Sequence, residues 1–489
     1  MNGTILGIVD KQAVYQKNST KPNRNVFVVG GPGSYKTQSV VITNLFNETE
    51  NSIVVTDPKG ELYESTAGVK LAQGYQVHVI NFANMRASDR YNPFDYIERD
   101  IQAEIVATKT VQSENAEGKK DVWFSTQRQL LKALILFVLK HRAPKNRNLA
   151  GVTQILQEND VEAVEKGEDS PLDQLFLSLP FIDPARRAYE LGFKKVKGEM
   201  KASIIESLLA TISKFVDEEV AHFTSFSDFD LKDIGRKKIA LYVIIPVMDN
   251  TFESFINLFF SQLFDELYKL AADNHAHLPN EVDFILDEFV NLGKFPKYEE
   301  FLATCRGYGI GVTTICQTLT QLQALYGKDK AQSILGNHAV KICLNAANDV
   351  TAKYFSDLLG NQPLKLKQEA KAPATVKKKA TARVIVTVIP VGRSWRLVRS
   401  CVCRTIKVFS FSVTSVPCRH TKLSNSSFFL MPIIYVLCIK MSITAHPNLA
   451  SKLDWPKKRK NGKQPFYKAR KLQRLTKSLQ MKKKTYGTI

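Results

Sequence analysis

In the first part of the chain, apolar positions come as short continuous runs of β-branched and aromatic residues, each closed by Gly, Pro or Asp. Asn25–Val29 reads NVFVV, Ser52–Thr56 runs into Asp57-Pro58-Lys59-Gly60, and Gln76–Asn81 reads QVHVIN. Runs of this kind predict strands buried on both faces. Thr37–Phe46, between the first two, has helix-compatible spacing and no proline. Strands that alternate with helical segments predict a parallel sheet with helices on both faces.

After Tyr91-Asn92-Pro93-Phe94 the alternation stops, and a mostly helical stretch runs to about Gly235, which reads as an inserted domain. Within it, Leu130–Leu139 is apolar all round and predicts a core helix, too short for a bilayer. Ala202–Val216 is amphipathic, with Ile204, Ile205, Leu208, Leu209, Ile212 and Phe215 on one side. The strand pattern returns at Ile239–Pro246, and Phe252–Leu270 then carries one apolar helix face. Val282–Leu286 and Ile310–Cys316 complete the predicted strands.

A length of 489 residues allows about two to three domains, and 44% hydrophobic residues suffice for a large core. The net charge of +21 suggests nucleic acid until its distribution is read. Lys and Arg outnumber Asp and Glu 29 to 2 in residues 361–489, which leaves 39 basic against 45 acidic side chains in residues 1–360. The body is therefore mildly acidic. Ala370 to Leu453 contains no Asp or Glu, and the tail holds Cys401, Cys403, Cys418 and Cys438 with no clear periodicity. A shift of coding frame after about residue 370 accounts for that composition. The competing reading is a natural basic arm that contacts DNA or anionic lipid through Lys457-Lys458-Arg459-Lys460 and Lys482-Lys483-Lys484. Lys365–Thr381, rich in Lys and Ala, reads as a linker. Cys305, Cys316 and Cys343 lack metal-type spacing and suit a reducing compartment. The chain opens on no signal peptide, and its longest apolar run, Phe428–Ile439, is short and interrupted by Pro432, so no transmembrane helix is expected.

The strongest chemical signal is Val28–Ser39, VVGGPGSYKTQS. An apolar strand ends in a glycine-rich turn and a helix begins at Lys36-Thr37. Backbone N–H groups of such a turn converge on an anion, and the helix start adds its positive dipole end. This makes Gly30, Gly31, Pro32, Gly33, Ser34, Tyr35, Lys36, Thr37 and Gln38 the candidate cradle for the phosphates of a nucleoside triphosphate, with Lys36 on the outer phosphates and Thr37 on Mg²⁺. In the pattern G-x-x-x-x-G-K-[ST], Gly30 takes the first position and Tyr35 stands where the second glycine belongs.

The metal needs a carboxylate at another strand end, and Val282–Glu288, VDFILDE, offers Asp287. Glu288 is placed to orient or deprotonate a water that attacks the γ-phosphate. Gln317, at the tip of the run ending in Cys316, is a candidate to sense that phosphate or position the water. Phe301–Gly309 places Arg306 near the sheet edge, where it either reaches a neighbouring subunit's γ-phosphate or is simply solvated.

Taken together, GGPGSYKTQS, TDPKGELYESTA, YNPF, FILDEFVNLGKFP and CRGYGIGVTTICQTLTQLQALYG resemble the type IV secretion coupling proteins, the DNA-transfer ATPases of conjugation. The resemblance covers about residues 20 to 360, and Asn348–Phe355 is similar to the family's closing segment. It implies a RecA-like P-loop NTPase fold, an α/β architecture with a mostly parallel sheet plus an inserted all-α domain. The implied boundaries are an N-terminal segment 1–24, nucleotide-binding parts 25–94 and 236–362, the insert 95–235 and the basic tail 363–489. It further implies ATP and Mg²⁺ as cofactors, a homo-hexameric ring, and work at the cytoplasmic face of the membrane. The implied partners are DNA of any sequence, a relaxase and the secretion channel proteins. Family members are anchored by N-terminal transmembrane helices, which this chain is expected to lack, and they continue as ordinary folded sequence where this tail departs. A docking adaptor without turnover, and a DNA translocase for chromosome segregation or repair, are the alternative functions.

Overall fold

The computed structural model describes residues 3–9, 12–17, 23–112, 122–159, 169–196, 199–246, 251–295, 297–360 and 435–437. Apart from 435–437, the tail read as frame-shifted sequence or basic arm lies outside these residues, as does the linker 365–381.

The chain opens with an antiparallel hairpin, β1 (Gly3–Val9) and β2 (Gln12–Lys17). Seven further strands follow: β3 (Val26–Gly30), β4 (Ser52–Asp57), β5 (Gln76–Asn81), β6 (Ile239–Ile244), β7 (Val282–Leu286), β8 (Ile310–Cys316) and β9 (Val340–Asn345). With β10 (Tyr435–Leu437) they form one eight-stranded sheet in the order β10-β9-β3-β8-β7-β4-β6-β5, and every pair is parallel.

Every residue of β3, β4, β6 and β8 is buried. Burial on both faces is what a parallel sheet with helical crossovers requires, and it is why these segments read as continuous apolar runs. Successive side chains enter opposite cores. Val26, Val28, Ile53, Val55 and Ile285 pack with Val40, Val41, Leu45 and Leu62, from the helical segments 37–47 and Glu61–Ala72, and with Leu6 of the hairpin. Phe27, Val29, Val54, Phe284 and Leu286 face the other way, into a larger core with the long helix Glu253–Asp273.

Between β5 and β6 the described residues form only helices and turns, the α-helices being Asp100–Gln112, Val122–His141, Leu149–Glu158, Pro171–Leu177, Pro184–Leu191, Glu199–Ile212 and Glu218–Phe223. The apolar run at 130–139 lies in the C-terminal half of a helix of 20 residues, which extends back through turns whose buried polar side chains are hydrogen-bonded, Thr126 to the Val122 carbonyl and Gln127 to Ser207. These helices share the larger core with the sheet. No helix among the described residues is long and apolar enough to cross a membrane.

His338, fully enclosed just before β9, shows how polar groups are accommodated in that core. Its Nδ1 lies 2.7 Å from the Ile334 carbonyl, so Nδ1 carries the proton, and Nε2 accepts from the Thr314 hydroxyl at 2.8 Å. Thr314 in turn accepts from the Tyr298 hydroxyl at 2.6 Å. Burial, the dominant cause, pushes the imidazole down to about 3. The unfolded chain binds this proton near 6.5, so the native state loses stability as pH falls from 6.5 towards 3. The expected loss is about 1.4 kcal/mol per pH unit. Urea unfolding at pH 7 and pH 5 checks this: the native chain should lose more stability than His338→Gln, which keeps a donor and an acceptor but cannot titrate.

Candidate functional site

The helical segment that follows β3 lies on one face of the sheet, whereas Leu319–Tyr326, after the neighbouring β8, packs into the opposite core. Chains that leave adjacent strands to opposite faces open a crevice at the carboxyl ends of the sheet, where ligands bind in open α/β folds. The glycine-rich loop occupies this crevice.

Gly30 and Gly31 have no room for a side chain: a Cβ would stand 2.4 Å from Ser34 Oγ at the first and 2.9 Å from Ala347 Cβ at the second. Gly33 (φ 72°) and Tyr35 (φ 61°) are left-handed. Tyr35 thus keeps the conformation a glycine would supply there, and its ring is 59% exposed, turned out of the cradle. A tyrosine held this way costs about 1 kcal/mol of backbone strain but leaves the path of the loop unchanged. The helix opens as a wide π turn, Thr37–Ile42, and continues as an α-helix, Thr43–Asn47.

Lys36 is buried, and its Nζ donates to the Gly30 carbonyl at 2.6 Å and the Gly31 carbonyl at 3.4 Å. Ser34 Oγ is buried with no hydrogen-bond partner among the described residues. Thr37 Oγ1 donates to Asp287 Oδ2 at 2.9 Å and joins the loop to the end of β7. Asp287 is nearly fully buried, and its carboxyl is raised above the usual range by that burial, with the Thr37 hydrogen bond and the Lys36 charge opposing and the Glu288 charge adding. Its backbone carbonyl accepts from Thr56 Oγ1 of β4 at 2.8 Å, which braces the turn.

Glu288 also adopts a left-handed backbone (φ 48°, ψ 48°), a departure from regular geometry that clusters at functional sites. Its Oε2 accepts from Asn291 Nδ2 at 2.9 Å and its Oε1 from Gln317 Nε2 at 3.4 Å. Sequence reasoning picked Glu288 and Gln317 separately, and the structure brings them together. It assigned no role to Asn291 or Thr56, whose contacts depend on the turn after β7 and on strand neighbours.

Arg306 is placed differently from the expectation of a sheet edge. It sits exposed in the turn Cys305–Tyr308, at the amino end of β8, which is an interior strand between β3 and β7. The seven residues of β8 put roughly 20 Å between that turn and the carboxyl ends. Arg306 therefore stands away from its own chain's cradle. Gln38 is exposed beside the loop.

The residues present suit a magnesium nucleotide. The loop has an orphaned hydroxyl at Ser34 and no space for side chains at Gly30 and Gly31, and Thr37 with Asp287 offers a hydroxyl and a carboxylate, the hard oxygen donors Mg²⁺ prefers.

A parallel sheet with a phosphate-type loop leaving one strand, and an acidic pair at the end of the next strand but one, defines an α/β P-loop NTPase of the RecA-like class. The solved structure of the bacterial conjugative coupling protein TrwBdeltaN70, in its unbound monoclinic form, has the same fold, with a TM-score of 0.51 at 17% identity over 72% of this chain and 75% of that one. The chain belongs to the family described as type IV secretory system conjugative DNA transfer, which matches residues 2–385. It is 26% identical to the protein VirD4 of Rhizobium radiobacter over 378 residues, 74% of this chain and 51% of that protein. It is 27% identical to the conjugal transfer protein TraG of Escherichia coli over 334 residues, 63% of this chain and 51% of that protein. The chain thus spans about half the length of the curated relatives it matches.

Proposed function

We propose that this chain is the ATP-hydrolysing motor of a conjugative coupling protein, which receives a relaxase–DNA complex and drives it into a type IV secretion channel. The observation that carries the reading is the Thr37–Asp287 hydrogen bond, which ties the phosphate loop to an acidic strand end, in a chain of the conjugative DNA-transfer family.

The loop N–H groups hold the phosphate oxygens, and Lys36 exchanges the Gly30 and Gly31 carbonyls for the β- and γ-phosphates. Thr37 and Asp287 hold Mg²⁺, which when bound offsets the negative charge of those phosphates. Glu288, steadied by Asn291 and Gln317, accepts hydrogen bonds from the attacking water and takes its proton. Gln317 keeps an amide at the same point for the γ-phosphate. Arg306, remote from its own cradle, is free to serve the site of the next subunit in a homo-hexameric ring at the cytoplasmic face of the membrane. DNA is gripped through its backbone, because a motor that moves along DNA must accept any sequence.

The test is ATP hydrolysis by the purified chain with and without DNA of unrelated sequences. Stimulation by every sequence, falling as salt rises, and co-purification of a relaxase are the expected results. Nucleotide binding with no hydrolysis under any condition would instead identify a docking adaptor, and DNA-stimulated turnover with no relaxase association a translocase of another pathway.

A further inference from the structure

We infer that Asn345, at the carboxyl end of β9, is a further ligand for the outer phosphates of the nucleoside triphosphate, donating its side-chain amide from the flank of the cradle opposite Gln317. The inference rests on the nucleotide reading of this site and adds a residue to it. Gly30, where the loop begins, pairs in register with Asn345 of β9. On its other flank Val29 pairs with Cys316 of β8, so Gln317 follows at the level of Gly30. Two side-chain amides therefore stand in one row, either side of the first loop glycine.

The register of β9 slips at this point. Val29 pairs with Cys343 and Gly30 with Asn345, leaving Leu344 as an extra residue. Such a bulge re-aims the side chain that follows it, and bulges are enriched next to active sites. The rest of β9 up to Cys343 is buried, while Asn345 is exposed. Its Nδ2 lies 3.8 Å from where a Cβ on Gly31 would stand, so the amide lies against the loop whose carbonyls receive Lys36.

A structural duty is already discharged by a different residue. The helix Asp349–Leu359 is capped by Asn348, whose Oδ1 accepts from Thr351 N at 2.9 Å. The side chain of Asn345 has no hydrogen-bond partner among the described residues. A neutral amide at this position offers a donor to a phosphate oxygen, whereas a carboxylate there would oppose it.

The experiment is titration of the full chain with a fluorescent non-hydrolysable ATP analogue and with fluorescent ADP, both with Mg²⁺. Asn345→Ala should weaken the triphosphate by about tenfold, the effect of one hydrogen bond to a charged group, and ADP by clearly less. Asn345→Asp should weaken the triphosphate further. Thermal unfolding without nucleotide should be unchanged in both, since the side chain is exposed. Equal affinities in the parent and both variants, or equal losses for ADP and the triphosphate, overturn the inference. Lys36→Ala in parallel separates the two readings: if it leaves affinity intact, the nucleotide site itself is misassigned, and if it weakens binding while both Asn345 variants do not, only the role of Asn345 falls.

Discussion

Lys36→Ala is expected to remove ATP turnover, with kcat lower by about a thousandfold, the scale of losing a charged group aimed at developing transition-state charge. The lysine is buried at the base of the loop, and its ammonium is held by carbonyls that a phosphate chain can replace without moving the backbone. Alanine takes away the only cation the loop itself supplies. Affinity should fall as well, because the β- and γ-phosphates lose their counter-charge in the bound state, not only in the transition state. The checks are steady-state phosphate release and titration with a non-hydrolysable analogue, compared with the parent chain. Turnover within tenfold of the parent would place the chemistry elsewhere. Circular dichroism of the variant controls for folding, and little change is expected there, since among the described residues the Lys36 ammonium bonds only to two neighbouring loop carbonyls and the loop's path is set by Gly30, Gly31 and Gly33.

How much of this could be read in the sequence depended on whether a feature leaves a local trace. The strands β3, β4, β6 and β8 were legible because burial on both faces forces continuous apolar runs. β9 was not, because Lys341 interrupts its run; that lysine is buried in the sheet and satisfied by the His338 carbonyl at 2.8 Å, a contact no periodicity announces. The hairpin β1–β2 was missed for a related reason. It is held on the helical segment after the loop by Asn44, whose side-chain amide pairs with both the N–H and the carbonyl of Ile5, as a strand partner would.

In the site, the loop and the acidic pair were visible as types of residue at fixed spacing. Tyr35 read as a mismatch in the sequence, and its left-handed backbone explains why the loop tolerates it. The Glu288–Asn291 contact and the bulge at Leu344 were hidden, since one depends on a left-handed turn and the other on strand register. Arg306 was legible as a candidate, but its place at the amino end of an interior strand followed only from the sheet order.

Glu288→Gln should give the opposite separation from Lys36→Ala: nucleotide affinity kept and hydrolysis lost, by about 10² to 10⁴ in kcat, the range for removal of a general base. The substitution preserves volume, and the glutamine carbonyl can still accept from Asn291 Nδ2, so the turn Phe289–Leu292 and the left-handed residue before it should persist. What is lost is basicity. An amide cannot take a proton from water, and its NH₂ group would face the Gln317 amide where Glu288 Oε1 now accepts at 3.4 Å. Asp287, Thr37 and Lys36 are untouched, so the charges that hold the phosphates remain. Single-turnover measurements with ATP, alongside analogue titration, distinguish the cases. Slow hydrolysis with parent-like affinity supports Glu288 as the group at the attacking water. Parallel loss of affinity and turnover would make it a structural support of the β7 turn, and undiminished turnover would leave Gln317 as the better candidate for positioning the water.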